Sequence, residues 1–184
     1  MRPDPTVVLL TGLPSAGKTT LARQAHGRLL GAGLPAEVLD GDEVRRQFWP
    51  ELTLSGADRS ANLARIAGLA RMLARNGVLV LVAAIAPYSK DRDSMRGLLA
   101  DSDIRFHEVH VATPLGTCID RDVKGLYARH RRGEISGLTG VDAVYEVPAG
   151  PELTIDTSRM SVEDSVSVLL KGALGNAFEP AVDR

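Results

Sequence analysis

The chain has 184 residues, 44% of them hydrophobic and 24% charged, and its formal net charge is −1 at pH 7, which is typical of one soluble globular domain. The near-neutral charge and an aromatic content of only 4% argue against a general nucleic-acid-binding surface and favour a small-molecule substrate. The single cysteine, Cys118, excludes an intrachain disulfide and a multi-cysteine metal site. The sequence shows neither a signal-peptide pattern nor an apolar run near the ~20 residues of a membrane span, so we expect a cytoplasmic protein.

The first predicted strand, from Val7 to Thr11, leads directly into a phosphate-binding loop. The loop fits the pattern G-x-x-x-x-G-K-[ST] in its required setting between a strand and a helix. Its glycines let backbone N–H groups turn inward around phosphates, Lys18 supplies a mobile charge, and Thr19 supplies a magnesium ligand. The predicted phosphate contacts, for ATP with Mg²⁺, are Gly12, Pro14, Ser15, Ala16, Gly17, Lys18, Thr19 and Thr20.

The second predicted strand, Ala36 to Leu39, is followed by two carboxylates, Asp40 and Asp42, separated by a glycine. Ligands of open α/β sheets bind at the carboxyl ends of the strands, where a carboxylate can hold magnesium or accept a proton. The third predicted strand, 78–84, ends without the aspartate that many phosphate-binding-loop enzymes use for magnesium. We therefore predict Lys18, Asp40 and Asp42 as catalytic residues and Thr19 and Asp42 as metal ligands.

A helix predicted from about Ala57 to Arg75 carries an apolar stripe, while Arg59 and Asn62 lie three apart on a neighbouring face and can point at one ligand. Helix starts are marked by Ser55 with Asp58, by Thr113 before Pro114, and by Ser161 with Asp164. Cys118 is expected to be a buried helix residue.

Further strands are predicted from Arg105 to Val111 and from Glu152 to Ile155. Strands that alternate with helices predict an α/β fold, a P-loop NTPase-like parallel β-sheet with helices on both faces, in a single domain spanning 1–184. Residues of about 121–147 are polar and lack periodicity, which predicts a lid. Its basic run, 129–132, either covers the nucleotide or forms a solvated face, and about 174–184 form a frayed tail.

The chain resembles the adenylylsulfate (APS) kinase family in a series of segments from Gly12 to about Thr157. The segments are GLPSAGKTT, LDGDEVR, ADRSAN, IAPY, the long block RDVKGLYARHRRGEISGLTGVDAVYE, and PELTIDT. The resemblance implies transfer of the ATP γ-phosphate to the ribose 3′-hydroxyl of adenosine 5′-phosphosulfate, and a homodimer. It implies that Asp40 orients or deprotonates that hydroxyl. The acceptor-binding residues it implies are Asp40, Arg45, Leu54, Arg59, Asn62, Ile85, Ala86, Lys124, Gly125 and Leu138.

The sequence departs from the family around the acceptor base. Family members typically sandwich the adenine between two phenylalanines, and the corresponding residues here are Leu54 and Leu138. Removing an aromatic ring from a base contact costs roughly 1–3 kcal/mol. One alternative is therefore a related kinase that phosphorylates a different nucleotide or hydroxyl acceptor. A second alternative is a non-catalytic nucleotide-binding regulatory module, against which the retained Lys18, Asp40 and Asp42 argue.

Overall fold

The computed structural model describes residues 4–175, which form five strands and seven helices. The strands are β1 (Thr6–Thr11), β2 (Ala36–Asp40), β3 (Leu79–Ala83), β4 (Arg105–Val111) and β5 (Leu153–Ile155). The helices are α1 (Lys18–Gly31), α2 (Gly41–Phe48), α3 (Gly56–Arg75), α4 (Ser89–Ala100), α5 (Leu115–Arg121), α6 (Leu126–Arg131) and α7 (Val162–Leu174). All five strands therefore lie where the sequence predicts them, within about two residues at each end.

The strands form one parallel sheet in the order β2-β3-β1-β4-β5. The register pairs Leu10 of β1 and Asp40 of β2 with the same residue, Ala83 of β3. The three strands therefore end at one edge of the sheet, and the segments that follow them meet there. This edge is where ligands of open α/β sheets bind.

Alternate residues of β1 point to opposite faces of the sheet, and all six residues of this strand are buried. Val8 and Leu10 belong to a core that includes residues of α1 and α7, whereas Val7 and Leu9 belong to a core that includes residues of α3 and α4. A central strand that is apolar on both faces requires helices on both sides. The predicted fold class is confirmed.

A helix begins at each of the three predicted starts, and two of the three predicted caps are confirmed. The hydroxyl of Ser55 accepts from the backbone N–H of Asp58 at 3.1 Å, and that of Ser161 accepts from the N–H of Asp164 at 3.0 Å. The helix α5 also begins where Thr113 and Pro114 predict, at Leu115, but Thr113 is not its cap, because its hydroxyl donates to the carbonyl of Ala16 at 2.9 Å and leaves α5 without a side-chain cap. Thr113 thus supports the loop after β1 instead of a helix.

The segment 121–147 differs from the expectation that it lacks regular structure, because it contains the six-residue helix α6. The short helix is set by its turn: the carboxylate of Asp122 accepts from the N–H groups of Tyr127 and Ala128 at 3.0 and 2.9 Å. Cys118 is buried in α5, as expected. The predicted tail lies outside the described residues from position 176 onward. Within residues 4–175, no helix has the length and apolar character needed to cross a membrane.

Candidate active site

A cleft of about 430 Å³ lies at the carboxyl edge of the sheet, and we call it the main cleft. It lies above the ends of β1, β2 and β3, where the sequence places the phosphate-binding loop and the two aspartates. The predicted site residues that line it are Pro14, Ser15, Gly17, Lys18, Thr19, Thr20, Asp40, Asp42, Arg45, Leu54, Arg59, Asn62, Ile85, Ala86 and Lys124. Residues spread over more than a hundred positions of sequence therefore share one concave surface, which is the usual form of a ligand site.

The phosphate-binding loop has the backbone of an anion cradle. Ser15 and Gly17 both have positive φ, at 63° and 105°, and Gly17 immediately precedes the first turn of α1. Successive residues in such conformations aim their N–H groups into one concavity, and the helix N-terminus adds its positive end. Two hydroxyls hold the loop from behind, since both Thr113 and Thr157 donate to the carbonyl of Ala16 at 2.9 Å.

The ammonium group of Lys18 is folded back onto the loop. It donates to the carbonyl oxygens of Gly12 and Leu13 at 2.9 and 2.7 Å and is buried. Burial lowers the pKa of Lys18 to about 8, against an opposing effect of the nearby Asp42 carboxylate. A lysine so placed has only carbonyl partners, which a phosphate group in the cradle can replace as a stronger, charged acceptor.

Asp40 ends β2 and makes three hydrogen bonds that fix its carboxylate. Oδ2 accepts from the hydroxyl of Thr19 at 2.6 Å, and Oδ1 accepts from the N–H groups of Asp42 and Glu43 at 3.0 and 3.2 Å. The second set makes Asp40 the N-cap of α2, a role for which aspartate is preferred. The paired oxygens of Thr19 and Asp40 face the cleft and are of the kind that Mg²⁺ selects.

Asp42 lies two residues further, in the first turn of α2, and lines the same cleft. Its carboxylate pairs with Arg45 at 2.9 Å and with Lys124 at 2.6 Å. Burial alone raises the pKa of Asp42, but the hydrogen bonds and charges of Lys124 and Arg45 outweigh it, so the pKa lies below its ordinary value. The group is therefore ionised at neutral pH.

Arg59 and Asn62 both face the cleft from α3, as their spacing predicts. Arg59 donates to the carbonyl of Gly137 at 2.9 Å and to the hydroxyl of Thr139, which connects α3 to the segment 121–147. Asn62 is only 7% exposed; its amide nitrogen donates to the carbonyl of Gly41 at 3.0 Å, while its Oδ1 has no protein partner. A buried amide oxygen without a partner is costly, and it marks a point where a ligand donor fits.

Leu54 and Leu138 lie in different environments. Leu54 is 52% exposed and lines the cleft, whereas Leu138 is 5% exposed, does not line it, and packs in the core that includes Tyr127 of α6. The backbone of Leu138 is fixed by Asp142, whose carboxylate accepts from its N–H at 2.6 Å. The two leucines therefore do not both line the cleft. Apolar residues that do line it include Ile85 and Ala86, and we call this part of the cleft its apolar end.

Three further predicted residues do not line the cleft but support it. Gly12 and Ala16 supply carbonyl oxygens to Lys18 and to the two threonines. Gly125 has a positive φ of 66° and precedes α6, so it turns the chain just after Lys124. The basic run 129–132 contributes no residue to the cleft; Arg129 and Arg132 pair with Glu134, and His130 lies 3.1 Å from Asp142.

The sequence prediction missed residues that reach the cleft beside the phosphate-binding loop. Arg121 donates to the hydroxyl and the carbonyl of Thr157 at 2.7 and 2.9 Å, and both residues line the cleft. Thr157 follows β5, so the rule that singled out Asp40, a polar residue after a strand, also identifies it. Tyr127 had no such signal, yet its hydroxyl donates to the carbonyl of Pro14 at 3.0 Å and docks α6 on the loop.

The sequence and the fold of this chain are similar to those of known proteins. Residues 4–156 match the adenylylsulphate kinase family. An adenylyl-sulfate kinase of Rippkaea orientalis is 45% identical over 91% of this chain and 90% of its own. The structure of the Mycobacterium tuberculosis APS kinase CysC in complex with AMPPNP and APS superposes with a TM-score of 0.89 at 40% identity, covering 92% of this chain and 98% of the other.

A hexameric APS kinase from Thiobacillus denitrificans is also similar, with a TM-score of 0.67 at 32% identity over 91% of this chain and 28% of that one. The match of residues 4–156 includes the phosphate-binding loop, both aspartates and the segment that carries Lys124. The chain belongs to the adenylylsulphate kinase family.

Proposed function

We propose that the protein transfers the γ-phosphoryl group of ATP to the ribose 3′-hydroxyl of adenosine 5′-phosphosulfate. The bond between the γ-phosphorus and the ADP oxygen breaks, a bond to the 3′-oxygen forms, and the hydroxyl proton is released. The observation that carries the proposal is that one cleft joins the phosphate-binding loop to the cationic group Arg45, Arg59 and Lys124. Family membership and the complex of the M. tuberculosis relative with AMPPNP and APS support it.

The donor phosphates are proposed to lie in the cradle formed by the loop before α1. In that position the N–H groups of residues 15–19 and the ammonium of Lys18 face the phosphate oxygens. Lys18 then exchanges its two carbonyl partners for the β- and γ-phosphates. Transfer of a phosphoryl group depends mainly on alignment and charge neutralisation, and the fixed donors of the cradle supply both.

Mg²⁺ bound with ATP is proposed to lie beside Thr19 and Asp40, because their oxygens are hydrogen-bonded at 2.6 Å and face the same space. In this placement Asp40 is the aspartate next to the metal, whereas the sequence analysis predicted Asp42 as a metal ligand. Magnesium is usually held by one or two protein oxygens together with substrate phosphates, which this donor set fits. When bound, the ion neutralises charge that develops on the transferring group.

The acceptor is proposed to lie between α2 and α3. Its phosphosulfate is anionic, and Arg45, Arg59 and Lys124 offer the planar and point-like cations that recognise such groups. Asn62 Oδ1 is an unpartnered acceptor suited to a ribose hydroxyl. Asp42, held ionised by Lys124 and Arg45, is proposed to orient the 3′-hydroxyl and to receive its hydrogen bond.

A second candidate function is phosphorylation of another nucleotide by the same machinery, and the observation that favours it is the position of the two leucines. Leu54 presents no ring to a base, and Leu138 is outside the cleft. The experiment is ADP release from Mg-ATP with adenosine, cytidine, guanosine or uridine 5′-phosphosulfate. Selective turnover of the adenosine compound supports the proposal, whereas preference for another base would mean that the acceptor is a different nucleotide. ATP turnover that does not depend on any acceptor contradicts both candidate functions.

We propose that the kinase is a single domain and that it forms a homodimer. The similar kinase from Thiobacillus denitrificans is hexameric, so a hexamer is the alternative assembly to test. Light scattering after size-exclusion chromatography tests the proposal against the monomer mass of 19.6 kDa. A monomeric mass or that of a hexamer would contradict it.

A further inference from the structure

The guanidinium of Arg92, on α4, is buried beneath the apolar end of the main cleft. The side chain is 2% exposed, and its three nitrogens have three different partners. Nε donates to Glu108 of β4 at 2.6 Å, Nη1 to the carbonyl of Ala86 at 2.8 Å, and Nη2 to the carbonyl of Glu146 at 2.8 Å. One side chain therefore connects the sheet, the segment after β3 and the end of the segment 121–147.

Ala86 is the partner that reaches the cleft. It lines the apolar end and has a φ of +45°, a left-handed conformation that a residue with a Cβ adopts only when its surroundings hold it. The next residue is also held, since the carbonyl of Pro87 accepts from the N–H of Glu146 at 2.8 Å. The carboxylate of Glu146 in turn accepts from the N–H of Ser89 at 2.6 Å, at the start of α4.

A buried charge is costly even when it is paired, and an apolar side chain of similar volume fills such a space at least as well. What an apolar side chain lacks is a planar fork that can bond to acceptors from separate segments at fixed angles. The arrangement therefore suits a requirement for one backbone conformation at the cleft wall more than a requirement for stability.

We infer that Arg92 is a positioning residue that holds Ala86 and Glu146 in place and thereby shapes the wall against which the acceptor lies. The inference rests on the proposed function for the identity of that acceptor. Arg92 does not line the cleft and acts through the backbone of Ala86. Arg92 makes no hydrogen bond to Lys18 or Thr157, which lie on the ATP side of the cleft.

Arg96 provides a matched control on the same helix. It pairs with the same Glu108, at 3.3 Å, and with Glu152 at 2.5 Å, and its guanidinium lies over the ring of Phe106. Arg96 makes no hydrogen bond to residues 84–87 or to Glu146. Substitution of Arg96 removes ion pairs to the same cluster from a more exposed side chain, 35% against 2%, and removes no hydrogen bond to the cleft wall.

The test compares Arg92→Lys, Arg92→Gln and Arg96→Gln by the KM for adenosine 5′-phosphosulfate and the KM for ATP. Both Arg92 variants are expected to raise the acceptor KM by about tenfold or more, with the ATP KM within about twofold of the wild type. Arg96→Gln is expected to leave both constants within about twofold, even where it lowers the melting temperature. An equal rise of both constants in the Arg92 variants, or an equal acceptor effect in Arg96→Gln, would overturn the inference.

A second measurement does not depend on the reaction. Amide hydrogen exchange without substrate is compared for peptides covering 84–88 and 144–147. Arg92→Lys is expected to speed exchange in both peptides, and Arg96→Gln in neither. Unchanged exchange in Arg92→Lys overturns the inference.

Failure of the wild type to phosphorylate the acceptor would contradict only the proposed function, because hydrogen exchange does not depend on the reaction. If neither Arg92 variant folds, Glu108→Gln is used, because a neutral partner for Nε weakens the bond that orients the guanidinium. It is expected to raise the acceptor KM alone, and equal changes in both constants refute the idea.

Discussion

The hydroxyl of Thr19 donates to Oδ2 of Asp40 at 2.6 Å, although 21 positions of sequence separate the two residues. The parallel sheet makes this contact, because β1 and β2 both pair with β3 and end at the same level. Asp42, two residues further on, instead pairs with Lys124 and Arg45. The two aspartates therefore have different partners in the cleft, and we expect different defects when each is neutralised.

Asp40→Asn is expected to raise the Mg²⁺ concentration needed for half-maximal turnover by about 10–100-fold, the range seen when a metal's ligand environment is damaged. The amide oxygen can still accept from the N–H groups that cap α2, so the fold should persist. Asp42→Asn, the control, is expected to leave the Mg²⁺ requirement unchanged and to raise the KM for the acceptor. Steady-state rates over a magnesium titration measure both effects, and the reverse pattern would exchange the two roles.

Leu54→Phe is expected to lower the KM for adenosine 5′-phosphosulfate, because it puts a ring into the cleft where a base can stack, a contact that contributes roughly 1–3 kcal/mol. Met72→Phe is a matched control, since Met72 is 64% exposed on α3 and does not line the cleft. Steady-state kinetics with each variant checks the expectation. No difference between the two variants would mean that the base does not lie against Leu54.

Leu138→Phe is expected to act on stability instead. Leu138 is buried in the core, so a larger ring overpacks it and lowers the free energy of unfolding by about 1–3 kcal/mol. Urea unfolding monitored by circular dichroism measures this change, and Leu54→Phe should unfold like the wild type. A stable Leu138→Phe protein with a lower acceptor KM would show that this residue reaches the acceptor after all.

The contrast between the two leucines shows what the sequence can predict. The strands, the loop of Lys18 and the aspartates follow from local patterns, since apolar runs and a fixed motif determine them. The course of the segment 121–147 does not, because it depends on single hydrogen bonds to distant groups, such as Tyr127 to the carbonyl of Pro14. The family resemblance predicted that Leu138 lies beside the acceptor base, whereas the packing against α6 shows that it is buried.

The hydrogen bonds of Arg92 also could not be predicted from the sequence. The sequence places Arg92 in a helix, where a charged residue is ordinarily solvated. Its burial depends on Glu108 from a strand and on a carbonyl 54 positions away in Glu146. No periodicity brings these three together, so a buried ion pair that shapes the cleft is visible only in three dimensions.

Gly12→Ala is expected to destabilise the protein strongly, because a Cβ there would lie 2.5 Å from the carbonyl oxygen of Val111 and φ is +154°. The strained backbone conformation alone costs of order 1–3 kcal/mol, and the clash with a backbone atom adds to it. Gly27→Ala is the control: it lies inside α1 with nothing near its Cβ position, so alanine should stabilise by up to about 1 kcal/mol. Similar urea midpoints for the two variants would contradict the described approach of the two strands.

The lowered pKa of Lys18, about 8, predicts a pH dependence of ATP binding. The free protein loses the ammonium charge above that pH, whereas bound phosphate requires it, so the Kd for ATP should rise by up to about tenfold per pH unit above 8. Isothermal titration calorimetry between pH 7 and about 9.5 measures this, with Lys18→Met as a control that should bind weakly without the slope. A flat profile for the wild type would show that Lys18 keeps its proton when buried.

The lowered pKa of Lys18 also predicts how the free energy of unfolding changes with pH, which can be measured without ATP. The pKa of Lys18 is lower in the folded protein than the unfolded value of 10.5, so between about 8 and 10.5 the unfolded chain binds more protons. Stability contributed by this group therefore rises with pH across that window, and the cost of burying the charge is fully present below about 8. In matched urea titrations, Lys18→Met should be more stable than the wild type at pH 7, and that gain should shrink as the pH approaches 10. A gain that grew with pH would mean that burial does not oppose the charge on Lys18.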